Sequence, residues 1–209
     1  MQVRRFTNYD QYVQVQTEAN KAKLRHVWAS EREIRAVAGY VKRRLPRPSL
    51  GICHGVRNGW EVARLRAMLG IPVIGTELSD TATQFENVIQ WDFHDVKEEW
   101  LDGVDFIYSN AWDHSYAPRF CLDQWMKCVK TTGRCFLEWS TAHDEGGCSD
   151  CDCFGASLEE YQEIISEKYV VDDVLKISRR RWSRLRNALR FRPPRNRGWV
   201  RLVLVIRHR

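Results

Sequence analysis

The stretch GICHGVRNGWEV, residues 51 to 62, sets three glycines, a cysteine, a histidine and an arginine between a short apolar run and an amphipathic pattern. Gly51, Gly55 and Gly59 stand where a strand gives way to a helix, and glycine there permits positive φ and a close approach of ligand to backbone. The free N–H groups at a helix start favour an anionic group. A plain tight turn would use the same glycines, so two acids further on carry more of the inference. Glu77, eighteen residues beyond Gly59, ends a second strand-like run, where a carboxylate is placed to accept both hydroxyls of a ribose. Asp92 ends a third run beside Phe93, where a carboxylate can accept from an exocyclic amine while the ring packs on a purine. At the carboxyl ends of consecutive strands the two acids converge on the crevice in which open α/β sheets bind ligands.

The elements that would position these groups are legible from apolar spacing. Residues 8 to 45 read as a helical lead-in: Ser30 and Glu33 have capping-box spacing, and Ile34, Val37, Val41 and Leu45 share a face before Pro46 and Pro48 end the run. Strand-like runs follow at SLGIC (49 to 53), PVIGTEL (72 to 78), NVIQWDF (87 to 93), VDFIYSN (104 to 110) and GRCFLEWS (133 to 140), with helical patterns between them. Val62, Leu65 and Leu69 give the helix after the glycine corner its buried stripe. This alternation predicts a parallel sheet covered on both faces. The last third departs from it: residues 158 to 169 read as helix, 170 to 177 as a strand and 199 to 209 as a final strand, so the closing pair is expected to be antiparallel. The chain reads as one domain of residues 1 to 209, with the lead-in at 1 to 46 and an Arg-rich arm at 178 to 198 between the last two strands.

From Leu50 to about Ser140 the sequence resembles the class I S-adenosylmethionine-dependent methyltransferases. The resemblance rests on GICHGVRNG, GTELSD, QWDFHD, VDFIYSNAWDHSYAP and TTGRCFLEWS. It implies an α/β, Rossmann-like, seven-stranded and mostly parallel sheet in the order 3-2-1-4-5-7-6, with strand 7 antiparallel and helices on both faces. It also implies S-adenosylmethionine as cofactor: Gly51, Cys53, Gly55 and Arg57 beside its methionine part, Glu77 at the ribose, Asp92 and Phe93 at the adenine, Leu78 among the other cofactor-binding residues, and Asn110 touching the cofactor or fixing its loop. The corner departs from the family's acid-x-Gly-x-Gly-x-Gly pattern. Gly51 stands at the acidic position, Cys53 at the first glycine, Gly55 at the second and Arg57 at the third, so the arginine is a candidate for the methionine carboxylate or a substrate anion.

SNAWDHSYAP, residues 109 to 118, begins where the fourth strand ends. Methyl transfer depends chiefly on alignment, so a base is optional. For a hydroxyl or protonated-amine acceptor His114 is the best base on offer, since an imidazole ordinarily titrates at about 6.5, and Asp113 can orient it or touch the acceptor.

Two other clusters stand apart from the crevice. His143, Cys148, Cys151 and Cys153 could supply four ligands to a structural metal, but the spacing is not that of a standard finger, and a solvent-facing thiol-rich loop is the simpler expectation. Residues 176 to 209 hold thirteen Lys/Arg, twelve of them Arg, and no Asp/Glu, whereas the rest of the chain is acidic within a net charge of +6. Interleaved with Trp182 and Phe191, the arginines from 179 to 197 suit nucleic acid, an anionic membrane surface or a phosphorylated substrate, or form a solvated arm.

With seven cysteines, no apolar run of about 18 residues and no secretory leader, the chain is expected to be cytoplasmic with reduced thiols. The reading is a methyltransferase acting on an O or N atom of a small-molecule or glycan-type acceptor. The alternative is a nucleic-acid-binding protein or RNA methyltransferase that uses the Arg-rich arm. An NAD-dependent oxidoreductase is disfavoured, because the corner lacks G-x-G-x-x-G.

Overall fold

The computed structural model describes residues 2–142, 151–177 and 200–209. The Arg-rich arm, His143 and Cys148 lie outside the described residues, and so do the expectations attached to them. Seven strands form one sheet: β1 (Gly51–His54), β2 (Val73–Glu77), β3 (Val88–Gln90), β4 (Val104–Ser109), β5 (Val129–Ser140), β6 (Val170–Lys176) and β7 (Arg201–Arg207). Their order is β3-β2-β1-β4-β5-β7-β6, with β7 antiparallel to both of its neighbours and every other pairing parallel. This is the order the family resemblance implied.

Alternation along the strands divides the apolar residues between two cores, because successive side chains of a strand point to opposite faces. Cys53, Phe106, Tyr108, Phe136, Val203 and Val205 pack on one side against α2 (Glu31–Arg44) and α3 (Trp60–Leu69). Ile52, Ile107, Leu137, Leu204 and Ile206 pack on the other against α4 (Pro118–Cys128) and α5 (Leu158–Ser166). Burial of both faces explains why the strands read as near-continuous apolar runs.

The helical lead-in is two helices. Asn8 caps α1 (Tyr9–Ala22) by accepting from the Gln11 N–H, and the expected capping box of Ser30 and Glu33 starts α2. The connectors after β2 and β3 differ from expectation. They form single 3-10 turns, Asp80–Gln84 and Glu98–Trp100, because few residues link those strands and Trp100 turns into the core instead of extending a helix. Gln2–Val3 pair antiparallel with Phe154–Gly155 in a separate two-stranded ribbon, which the sequence did not announce. No helix among the described residues is long and apolar enough to cross a membrane.

Candidate active site

A cavity of about 790 Å³ opens beyond the carboxyl ends of β1, β2 and β4. Nine of the eleven residues assigned from sequence to the cofactor or to catalysis line it: Gly55, Arg57, Glu77, Leu78, Asp92, Phe93, Asn110, Asp113 and His114. Gly51 and Cys53 do not. They lie inside β1, short of the bend. A Cβ on Gly51 would sit 2.2 Å from the Phe106 ring, so that glycine serves sheet packing. Cys53 is wholly buried in the same core, where desolvation pushes its thiol well above the usual range.

The bend itself is built from left-handed backbone. Gly55 and Gly59 both have φ of 70°, and Arg57 adopts φ of 47°, a conformation that costs energy for any residue with a Cβ and suits glycine. Its backbone N–H donates to Glu77 Oε2 at 2.9 Å, and the Ser79 N–H donates to Oε1 at 3.1 Å, so the carboxylate at the tip of β2 is fixed by two amides. Each oxygen keeps a lone pair for a further donor. The Arg57 guanidinium donates to the His26 carbonyl at 3.1 Å and ties the bend to the segment leaving α1.

Asp92 lies two residues past the end of β3, not at it. The strand stops at Gln90, and the Asp92 carboxylate turns back to accept from the His94 N–H at 2.8 Å, closing a local turn. The same Oδ1 meets His94 Nδ1 at 2.7 Å, His94 Nε2 meets Ser115 Oγ at 2.8 Å, and Oδ2 accepts from the Tyr9 hydroxyl at 2.6 Å. Burial alone would raise the Asp92 pKa. The hydrogen bonds from His94 and Tyr9 outweigh it and hold the group below its ordinary value.

His114 follows β4 on a 3-10 turn, Trp112–His114. Its Nδ1 lies 3.0 Å from the Cys151 carbonyl, which selects the tautomer protonated there and leaves Nε2 as the basic nitrogen. Nε2 is 3.8 Å from Asp152 Oδ1, so Asp152, which the sequence reading left out, joins Asp113 beside the imidazole. Cys151 and Cys153 are buried, contrary to the solvent-facing loop expected of them: the pairing of Gln2–Val3 with Phe154–Gly155 and the packing of α1 cover them, and Gln16 reaches both.

The largest omission is the wall supplied by α1. Tyr12, Gln16, Asn20 and Lys23 line the cavity at helical spacing, and a row of polar groups on the inward face of a helix was the available signal. Glu61 was missed as well. It is 5% exposed on the first turn of α3; Oε1 accepts from Asn110 Nδ2 at 3.3 Å, and Oε2 is buried with no hydrogen-bond partner. Desolvation raises its pKa.

No family model matches the sequence, and no curated protein matches it. Solved structures do. A 1,6-didemethyltoxoflavin-N1-methyltransferase of Burkholderia thailandensis, with bound 1,6-didemethyltoxoflavin and S-adenosylhomocysteine, superposes with a TM-score of 0.70 at 13% identity, over 98% of this chain and 92% of that one. A geranyl diphosphate C-methyltransferase of Streptomyces coelicolor A3(2), in complex with Mg2+, geranyl diphosphate and S-adenosyl-L-homocysteine, gives 0.66 at 11% identity over 97% and 100%. A chain from the complex of the Haloferax volcanii Trm112 methyltransferase activator with a methyltransferase gives 0.63 at 18% identity over 92% and 95%. Sheet order, strand-tip cavity and these superpositions agree: the chain has the class I S-adenosylmethionine-dependent methyltransferase fold.

Proposed function

We propose that the protein is an S-adenosylmethionine-dependent methyltransferase that delivers a methyl group to an O or N atom of a small-molecule or glycan-type acceptor. The observation that carries this reading is that Gly55, Glu77, Leu78, Asp92 and Phe93 all open onto one cavity, from the tips of three adjacent strands. Its volume falls in the range of small-molecule sites, roughly 300 to 1,000 Å³. The donor set also fits a nucleoside bearing a charged amino-acid end. Glu77 offers two fixed acceptors to a pair of ribose hydroxyls, Leu78 and the Phe93 ring offer apolar contact to a purine, and Asp92 Oδ2 keeps a lone pair for an exocyclic amine beside Tyr9.

The cofactor when bound supplies an electrophilic methyl group on a sulfonium. The chain's own part is alignment and proton handling. Gly55 and Arg57 bend the backbone so that the ligand can approach it closely, while Tyr12, Gln16 and Asn20 of α1 form a wall of the cavity. His114 Nε2 takes the proton from an acceptor hydroxyl as the methyl group is accepted, or from an acceptor ammonium beforehand to free its lone pair, and Asp152 stabilises the imidazolium that forms. The small acceptors of the toxoflavin-type and geranyl diphosphate methyltransferases support an acceptor of comparable size.

Titration calorimetry with S-adenosylmethionine, S-adenosylhomocysteine and NAD tests the reading. The first two are expected to bind and NAD is not, and Glu77→Ala is expected to weaken S-adenosylhomocysteine at least tenfold. Preferential binding of NAD, or full affinity in Glu77→Ala, would overturn it.

A further inference from the structure

Among the described residues five carboxylates line the cavity, and four have evident work. Glu77 holds two backbone amides, Asp92 is held between His94 and Tyr9, and Asp113 and Asp152 stand beside His114. Glu61 differs. Glu61 lines the cavity; Asn110, just past β4, satisfies one of its oxygens, and the other is buried with no donor among the described residues. A carboxylate oxygen in that state calls for a ligand that brings N–H donors and positive charge.

None of the cavity's cations, Lys23, Arg25 and Arg57, bonds Glu61 among the described residues. The Arg57 guanidinium, although near enough to favour the ionised form of Glu61, is bonded to the His26 carbonyl. Nor does β1 supply a competing acid, since its first residue is Gly51. With the ribose at Glu77 and the purine at Phe93, the part of the ligand left to meet the bend and the tip of β4 is its amino-acid end. That end carries one cation with three N–H donors.

We propose that Glu61 receives the α-ammonium of S-adenosylmethionine, Asn110 fixing one of its oxygens and the ammonium satisfying the other. The assignment rests on the cofactor reading above and goes beyond it, because it gives the missing acidic position of the glycine corner a replacement ten residues further along the chain, on a different element. The position on α3 is consistent with this, since a carboxylate in the first turn of a helix is favoured by the helix dipole.

The test is a cycle between residue and ligand, read by calorimetry. S-adenosylhomocysteine is compared with its deamino analogue, in which the α-amine is replaced by hydrogen, on the parent and on Glu61→Gln. The glutamine keeps an oxygen for Asn110 and removes the charge. The parent is expected to bind S-adenosylhomocysteine at least tenfold more tightly than the deamino analogue. Glu61→Gln is expected to lose that tenfold for S-adenosylhomocysteine and to change less than twofold for the analogue. Equal weakening of both ligands in the variant, or no weakening of S-adenosylhomocysteine, would overturn the assignment. Should the variant not fold, equal affinity of the parent for the two ligands overturns it alone, and a clear preference for the amine supports it. A parent that binds neither ligand defeats the cofactor reading and this assignment with it, an outcome recognisable without any variant.

Discussion

The Tyr9 hydroxyl donates to Asp92 Oδ2 over 2.6 Å, linking residues 83 positions apart in the chain. Through that bond the first turn of α1 is fastened to the turn after β3. Tyr12 completes the attachment, with its ring edge-on to Tyr116 at 4.7 Å and to His94 at 5.8 Å. Hydrogen bonds to charged groups contribute about 1.5–3 kcal/mol, and the half-exposed phenol places this one at the lower end. Tyr9→Phe is therefore expected to speed amide hydrogen exchange across α1 about tenfold while leaving β4 and β5 unchanged. Unaltered exchange in α1 would show that the bond does not hold the helix down.

His54, at the tip of β1, stacks on Trp125 at 4.8 Å and bonds Thr76 through Nδ1. Burial, aided by the neighbouring His94, pushes its pKa down to about 3. An unfolded histidine titrates at about 6.5, so on acidification the unfolded state takes up the proton first. Stability should then fall as pH drops from about 6.5 toward 3, by up to about 1.4 kcal/mol per unit. His54→Phe keeps a ring against Trp125 and cannot titrate. Denaturant melts of parent and variant at pH 7 and pH 5 are expected to show a shallower acid loss in the variant, and parallel losses would contradict this.

These two sites also show what could and could not be read from sequence. The glycine bend, Glu77 and Asp92 were legible because each is a local event: a backbone that must turn, or an acid just past an apolar run. Gly51 and Cys53 were assigned to the cavity because a motif does not reveal which of its residues are still strand and which are already turn. Tyr9, Tyr12 and Gln16 escaped because their partners lie about 80 to 140 residues away, and only the folded chain brings α1 over the strand tips. The burial of Cys151 and Cys153 depends on a ribbon two residues long, too short to leave a periodic pattern.

Glu138 on β5 behaves oppositely to His54. It is buried, accepts from Tyr108 at 3.0 Å and lies 3.2 Å from Arg201, yet burial raises its pKa to about 8. The unfolded group ionises at about 4.3, so between roughly pH 4 and 8 the unfolded state releases a proton that the folded state keeps, and the folded state loses stability as pH rises. Glu138→Gln removes this dependence. Its stability relative to the parent is expected to improve by about 1 kcal/mol per unit from pH 5 to pH 8, whatever the offset at pH 5, and to level off above that. Arg201 retains Glu33 at 3.6 Å and the Trp28 carbonyl at 2.9 Å, so the substitution does not strand a buried cation. A relative stability that stays flat with pH would mean that Glu138 is ionised throughout.

Gly55 joins the two properties on which the bend depends, its left-handed backbone and its closeness to the tip of β4. At φ of 70° a Cβ would stand 2.6 Å from the Ala111 Cβ, so alanine there meets both a disfavoured conformation and a clash with an atom that cannot rotate away. Left-handed backbone costs an alanine about 1–2 kcal/mol and overpacking about 1–3 kcal/mol. Gly55→Ala is expected to lower unfolding stability by about 2–4 kcal/mol and to weaken S-adenosylhomocysteine, because the bend can relieve the clash only by moving away from β4 and opening the cavity at Asn110. Gly70→Ala is the control. That glycine is also left-handed, with φ of 72°, but nothing lies within 4 Å of its Cβ position, so it should show the backbone cost and leave ligand affinity unchanged. If calorimetry and denaturant melts find the two alanines equivalent, the closeness of Gly55 to Ala111 does not shape the cavity.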